Sequence, residues 1–380
     1  MFQNLITSAA AGLILWGAMP ESLGAEAGVS LAVLEDWSNV FGGRRAEFHA
    51  SVRVRESFEG RVGWSLAVGR RTIARGETPV TASPQNVGSI AIQFDVPQVK
   101  EGVVMPAVLS VSCYDPTSGV PAASLEKPLW IFPENPFTDR SEWLKRLQIH
   151  LFDPVGTTRQ VLQKTAIPFT ETRNVDSLSA LEDGILVIGE DTPLEEHRSL
   201  PQLMIETAAK GIPVLCLAPA NGQFPVPGMG PVPVPGMGPE LAELGRGETD
   251  FPSPSRIALR RGDVIGELDK RLDARAWPPD GRVIASSLLV GGGRQRLGHR
   301  GLAIGDHGPV IAQVFQADLG WPWLEIGFSA KRGKLIVCGF GLMRKWNAGP
   351  TPRFLFARLL EYLDADELRS ISVANGEDLK

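Results

Sequence analysis

Apolar residues occupy every second position over much of the first third of the chain. The stretch from Ala46 to Arg55 is the clearest case, and similar runs begin at Val62, Ile90 and Leu109. Alternation with a period of two is typical of a strand with one buried and one solvated face. These stretches therefore predict half-buried β-strands.

Turn-forming residues separate the runs, as in Phe41-Gly-Gly43 and Pro116-Thr-Ser-Gly119. About seven short strands within about 100 residues are typical of an immunoglobulin-like β-sandwich. The pattern predicts such a sandwich over residues 28–133. No pair of cysteines is placed to bridge its sheets, so an antibody-like domain is excluded.

The hydrophobic period changes after a proline-rich linker predicted at residues 134–144. Apolar strand-like runs begin at Leu147, Gly184 and Pro213, and helical patterns separate them. Capping-box sequences at Thr157 and Thr192 predict two helix starts. Strands that alternate with helices predict a parallel sheet, so residues 145–365 are assigned to a flavodoxin-like α/β domain.

The remaining segments complete a multidomain α+β architecture. Residues 323–328 and 334–340 predict a β-hairpin, and a terminal helix is predicted from Thr351. Residues 225–239 contain a tandem duplication of low complexity and are predicted to form a loop. The polar tail at 366–380 is predicted to lie outside the domain.

Residues 1–27 have the pattern of a secretory signal peptide, with an apolar run followed by Ala25-Glu26-Ala27. The protein is therefore predicted to be exported, to the periplasm, the cell surface or the medium, with no membrane span after cleavage. An uncleaved N-terminal anchor stays open, because no basic residue precedes the apolar run. The chain has three cysteines, an odd number that excludes a simple disulfide framework.

Composition narrows the functional classes. The 380 residues carry a net charge of −5, which gives no support to a nucleic-acid surface. The spacing of histidine and cysteine matches neither a zinc site nor a metalloprotease, and no phosphate-binding loop motif occurs. We therefore predict neither a metal nor a cofactor.

Several segments of the second half resemble class I glutamine amidotransferases. They are the stretches LFDPVGTTRQVL, DGILVIGED, AAKGIPVLCLAPANG and GKLIVCGFGLMRKWNAGPTPRFLFARLLEYL. The resemblance is closest to degenerate domains associated with β-galactosidase-type proteins and with planctomycete-type exported proteins. It covers about residues 145–365 and implies an amidotransferase-like α/β fold.

The resemblance also implies that the family's catalytic machinery is missing. Ala218 stands where the family has its nucleophilic cysteine, and Cys216 lies two residues earlier. Neither His299 nor His307 belongs to the family's His-x-Glu pair. A pseudoenzyme is therefore expected, while recruitment of Cys216 as a displaced nucleophile remains an alternative.

Acidic residues follow two of the predicted parallel strands. Asp153 follows the first strand and Glu190 the second, at the edge where open α/β sheets bind ligands. Both are candidates for acid–base chemistry, although stabilisation of a neighbouring helix start is the better explanation of the acidic residues after the second strand. Gly156 and Thr157, at the next helix start, are candidates for anion binding through backbone N–H groups.

Tryptophan is abundant, with nine residues, and several lie near predicted loops. Trp321 and Trp323 flank a proline and are candidates for stacking on a sugar ring or for a protein interface. Packing in a core is the alternative at each position.

Three functional hypotheses follow. The first is an exported, non-catalytic binding or assembly protein whose partner is a glycan or a protein. The second is a hydrolase or transferase that uses Asp153, Glu190 or Cys216. The third is a structural module that associates with itself.

Overall fold

The computed structural model describes residues 28–116, 119–220, 256–260, 262–273, 302–303, 322–328 and 333–365. These residues form a mixed α+β fold that is rich in strands and contains three sheets. The predicted signal peptide, the duplicated loop at 225–239 and the tail at 366–380 lie outside them.

The chain divides into two compact units. The first unit contains the described residues of Met1–Glu35, Arg45–Asp95 and Ala107–Pro128. The second contains those of Asp36–Arg44, Val96–Pro106 and Leu129–Lys380, so it includes three stretches from within the predicted sandwich domain.

From residue 28 onward, the described residues form eight strands before their first helix. They are β1 (Val29–Val33), β2 (Asn39–Phe41), β3 (Arg45–Val54), β4 (Phe58–Val68), β5 (Arg71–Ala82), β6 (Gly88–Asp95), β7 (Met105–Tyr114) and β8 (Pro121–Phe132). One sheet has the order β1-β3-β6 and the other the order β2-β8-β7-β4-β5. Strand β2 pairs in parallel with the last residues of β8, inside the second unit.

The predicted alternation is confirmed in the first unit. In β6 every second residue is buried, including Ile90, Ile92 and Phe94. Phe94 stacks on Phe48 of the same sheet at 5.9 Å and meets Trp64 of the other sheet at 5.8 Å. Aromatic rings therefore join the two sheets of this unit.

Substitution of Gly76 tests this packing. A Cβ atom at Gly76 would lie 2.6 Å from the indole ring of Trp64, so the ring would have to move. We expect Gly76→Ala to lower the free energy of unfolding by about 1–3 kcal/mol in chemical denaturation. Gly266→Ala is the control, because a Cβ at this helical position meets no atom within 4 Å and should be neutral or stabilising. If Gly76→Ala were as stable as the wild type, the close packing of Gly76 against the Trp64 ring would be contradicted.

The second unit contains the remaining helices and strands. In chain order they are α1 (Ser141–Arg146), β9 (Ile149–Phe152), α2 (Thr157–Lys164), β10 (Thr170–Glu171), a 3₁₀ helix (Val175–Ala180), β11 (Ile185–Ile188), α3 (Leu200–Ala209), β12 (Val214–Cys216), β13 (Arg256–Arg260), α4 (Asp263–Leu268), β14 (Leu302–Ala303), β15 (Trp323–Gly327), β16 (Lys334–Cys338) and α5 (Pro350–Asp364). Residues expected to form a linker include the start of α1 and the buried Phe137.

The parallel sheet predicted from three strands is confirmed for β9, β11 and β12, and β10 and β16 also join it in parallel. The sheet has the order β10-β9-β11-β12-β16-β15-β13-β14, and the first five strands are parallel. Strands β15 and β16 pair antiparallel, which confirms the predicted hairpin pairing. All four residues of β11 are buried, as expected where both faces of a sheet are covered.

Two apolar clusters cover the faces of this sheet. Leu162 of α2 and Leu359 of α5 belong to the cluster that contains Leu151 and Val187. Met204 of α3 belongs to the other cluster, together with residues of the 3₁₀ helix and alternate residues of the same strands. The ends of the parallel strands consequently lie between these two packed apolar clusters.

The predicted start of α3 is wrong. The helix begins at Leu200 and not after the capping-box sequence at Thr192. The Thr192 hydroxyl donates instead to the carbonyl of Gly189, and Glu196 N–H donates to the carbonyl of Pro193. Residues 192–199 therefore form turns between the carboxyl end of β11 and the start of α3.

Candidate functional site at the carboxyl edge

The predicted acidic residues meet at one point of the sheet. Strand β10 lies on one side of β9, while the later strands β11, β12 and β16 follow on the other side. The strand order therefore reverses at the point between β9 and β11. Crevices at such reversal points are the usual ligand sites of open α/β sheets. Asp153 follows β9, and Glu190 follows β11. We refer to these residues with Asp191 and Arg344 as the carboxyl-edge cluster.

Asp153 is used by the protein to cap α2. One carboxylate oxygen accepts the Gly156 N–H at 3.0 Å, and the other accepts the Arg159 N–H at 2.7 Å. Gly156 has a φ of 89°, which favours glycine at this turn. Asp153 is itself buried. The helix start predicted to bind an anion at Gly156 and Thr157 therefore receives the carboxylate of Asp153.

Capping predicts a loss of stability on substitution. We expect Asp153→Ala to lower the free energy of unfolding by about 1–2 kcal/mol, because two N–H groups lose their acceptor. Asp153→Asn keeps one side-chain oxygen and should lose less. Thermal denaturation of both variants shows which of them loses more stability. Equal losses in the two variants would contradict the capping role of Asp153.

Glu190 binds a loop that is distant in sequence. Its carboxylate accepts the N–H of Met343 at 2.7 Å and the N–H of Arg344 at 3.1 Å. Its own N–H donates to the hydroxyl of Thr158 at the start of α2. Glu190 is only 1% exposed, and burial raises its pKa to about 7. The backbone hydrogen bonds oppose this rise and do not cancel it.

Asp191 continues the contact to the same loop. Its carboxylate accepts two hydrogen bonds from the Arg344 guanidinium, the one from Nε at 2.8 Å. The residue has a φ of 69°, and its N–H donates to the carbonyl of Ala218. Asp191 therefore joins the ends of β11, β12 and β16. Sequence analysis did not identify Arg344 as its partner, since 153 residues separate the two.

Cys216 is not part of the exposed edge. It lies within β12 and is completely buried, and burial raises the pKa of its thiol. Cys338 of β16 is buried as well, with a pKa raised to about 12. A nucleophilic cysteine needs the thiolate and access to its substrate. Cys216 has neither, while Ala218 lies in the segment that follows β12.

The prediction of Trp323 as a surface ligand-binding residue is wrong. The side chain is completely buried in β15 and packs in the same apolar cluster as α5. Its indole N–H finds no hydrogen-bond acceptor within the described part of the chain. Trp321, the other tryptophan of the pair, lies outside the described residues.

Among the described residues no group of three or more His, Cys, Asp or Glu side chains is placed to hold a metal ion. No helix in this part of the chain is both long and apolar enough to cross a bilayer.

Comparisons with known proteins give no family. No protein-family model matches the chain, and no curated protein matches it. The sporulation control protein Spo0M of Bacillus subtilis is similar over 31% of this chain and 54% of its own, with 12% identity and a TM-score of 0.22. A cycloisomaltooligosaccharide glucanotransferase of Paenibacillus is similar over 43% of this chain and 20% of its own, with 9% identity and a TM-score of 0.21.

A candidate β-galactosidase of Bacteroides fragilis is similar over 51% of this chain and 39% of its own, with 8% identity and a TM-score of 0.20. The chain thus spans about half of the first of these structures and less of the other two. TM-scores at this level establish no shared fold, so the function is argued from the site alone.

Proposed function

We propose that the chain is an exported, non-catalytic binding or assembly protein whose partner is a glycan or another protein. The observation that carries the proposal is the engagement of the carboxyl-edge cluster by the chain itself. Asp153 caps α2, Glu190 accepts two backbone N–H groups, and Asp191 pairs with Arg344. Such groups fix the edge of the sheet and have little capacity left for a reacting substrate.

The proposal includes the identity of the two units. The second unit is proposed to be a degenerate amidotransferase-like domain, supported by its parallel strands and by Ala218 after β12. The first unit is proposed to be an immunoglobulin-like sandwich, supported by antiparallel pairing within its two sheets, among β1, β3 and β6 and among β7, β4 and β5. Export is proposed from the sequence of residues 1–27.

A hydrolase or transferase is the second candidate, and one observation favours it. Burial places the pKa of Glu190 near 7, a value suited to a general acid or base. Such an enzyme should lose turnover in Glu190→Gln, while Cys216→Ala is the control, because this thiol is completely buried and its removal should leave turnover unchanged. Unchanged turnover in Glu190→Gln would exclude Glu190 as the catalytic group.

Binding is tested by affinity electrophoresis. The purified chain is run through gels that contain neutral or acidic polysaccharides, and retardation by one class is the expected result. If no polysaccharide retards the chain, the partner would have to be a protein, and capture from the exported fraction becomes the assay. Self-association is measured on the same sample by light scattering at micromolar concentration.

A further inference from the structure

Three exposed arginines lie at and near the turn of the β4–β5 hairpin of the first unit. Gly69 turns the chain with a φ of 58°, and Arg70, Arg71 and Arg75 follow within six residues. All three side chains are exposed. The sequence from residue 60 to residue 76 contains no Asp or Glu. We call Gly69–Arg75 the arginine tip.

The charges of the arginine tip have no acidic partner among the residues that the structure describes. Arg61, on the same hairpin, pairs with Glu77 at 3.2 Å and lies over the ring of Tyr114. Arg70, Arg71 and Arg75 form no salt bridge and no side-chain hydrogen bond with any residue that the structure describes. Like charges on a short hairpin repel each other, and a bound anion removes that cost.

We infer that the arginine tip binds an acidic polysaccharide. The inference rests on the proposed binding function and assigns to it a surface and a ligand class. A guanidinium group presents a planar fork of donors that matches carboxylate and sulfate oxygens. Short basic segments of this kind are a common feature of surfaces that bind acidic polysaccharides.

The neighbouring residues favour a polymer over a membrane. Ser65 lies opposite Arg75 in the strand register and adds a hydroxyl group beside the cation. The structure describes every residue of the arginine tip. Among them Ile73 is the one large apolar side chain that is exposed, and its exposed fraction is 36%. Insertion into a lipid surface requires a larger apolar area.

The test measures binding of the full chain to polygalacturonate and to dextran sulfate, with neutral dextran as the comparison. We expect Arg70→Ala/Arg71→Ala to weaken binding to the acidic polymers about tenfold. The control is Arg53→Ala/Arg55→Ala. It also removes two exposed arginines, but these lie at the end of β3 and directly after it, outside the arginine tip. Its binding should change less than twofold, and both variants should keep the melting temperature of the wild type.

Each contrary result has a distinct meaning. An equal loss in the two double variants would overturn the inference, since binding would then follow net charge. Binding to phosphatidylglycerol vesicles without binding to the polysaccharides would overturn the choice of ligand. Retention by neutral dextran alone would reject the arginine tip and keep the proposed binding function. Turnover of a polysaccharide without stable binding would contradict the proposed function itself.

Discussion

Replacing Trp323 with alanine should lower the free energy of unfolding by about 3–5 kcal/mol. The indole is completely buried and packs with residues of α4 and α5. Its removal leaves a large cavity between the sheet and these helices, which the surroundings fill only in part. Chemical denaturation followed by fluorescence and circular dichroism measures the loss.

A matched control separates burial from the chemistry of tryptophan. Trp143 is half-buried, and its indole N–H donates to Asp364 at 3.0 Å. We expect Trp143→Ala to cost about 1 kcal/mol, since it loses a hydrogen bond and part of its packing. A loss at Trp323 no larger than the loss at Trp143 would show that the buried position of Trp323 is wrong.

Removing the Glu190 side chain should cost about 2–4 kcal/mol at pH 5. Glu190→Ala leaves the N–H groups of Met343 and Arg344 without an acceptor at a buried position. The loop after β16 then loses its link to β11. Glu195→Ala is the control, because this glutamate is exposed and should change stability by less than about 0.5 kcal/mol.

The pH dependence of stability gives a second test of Glu190. The pKa rises from 4.5, its ordinary value, to about 7 in the folded protein. The folded protein therefore keeps a proton that the unfolded chain releases between these values. This contribution to stability is complete below pH 4.5 and is lost as the pH rises to about 7, by at most about 3 kcal/mol. Glu190→Gln should remove the slope.

The slope must be taken as a difference between the two proteins. His49 also has a raised pKa, chiefly through its hydrogen bond to Glu35, and it adds to the pH dependence of both. Stability curves of the wild type and of Glu190→Gln between pH 4.5 and 8 isolate the contribution of Glu190. Parallel curves would contradict a buried Glu190 with a raised pKa.

Local patterns were sufficient where burial follows a simple period. The alternation in β6 and the continuous apolar run of β11 predicted strands that the structure contains. In a capping box the hydroxyl of Thr192 would accept a backbone N–H of the helix. In the structure it donates to the carbonyl of Gly189 and the following residues form turns, so α3 begins only at Leu200. A capping-box sequence alone does not indicate which of these two hydrogen bonds the side chain makes.

Trp323 was misassigned because its neighbours resemble a loop. Prolines and glycines surround it in the sequence, yet β15 has a strand on each side and its faces are covered. The hairpin partner β16 was predicted, but burial at this position also depends on pairing with β13, whose residues lie much earlier in the chain. Periodicity within a short segment carries no information about such partners.

The carboxyl-edge cluster was only half predictable. The positions of Asp153 and Glu190 after two parallel strands indicated that they would share one edge of the sheet. Their partners were not indicated, because Met343 and Arg344 are more than 150 residues from Glu190 and belong to no motif. Sequence could therefore locate the edge and could not show that its carboxylates are already engaged.

Size-exclusion chromatography with light scattering, after incubation of the chain with each polysaccharide, tests the central claim most directly. It reports complex formation and the molar mass of the polysaccharide in one experiment. Binding without catalysis predicts that the chain elutes with an acidic polysaccharide whose molar mass is unchanged. A polysaccharide that becomes shorter, by a reaction that Glu190→Gln abolishes, would contradict the account.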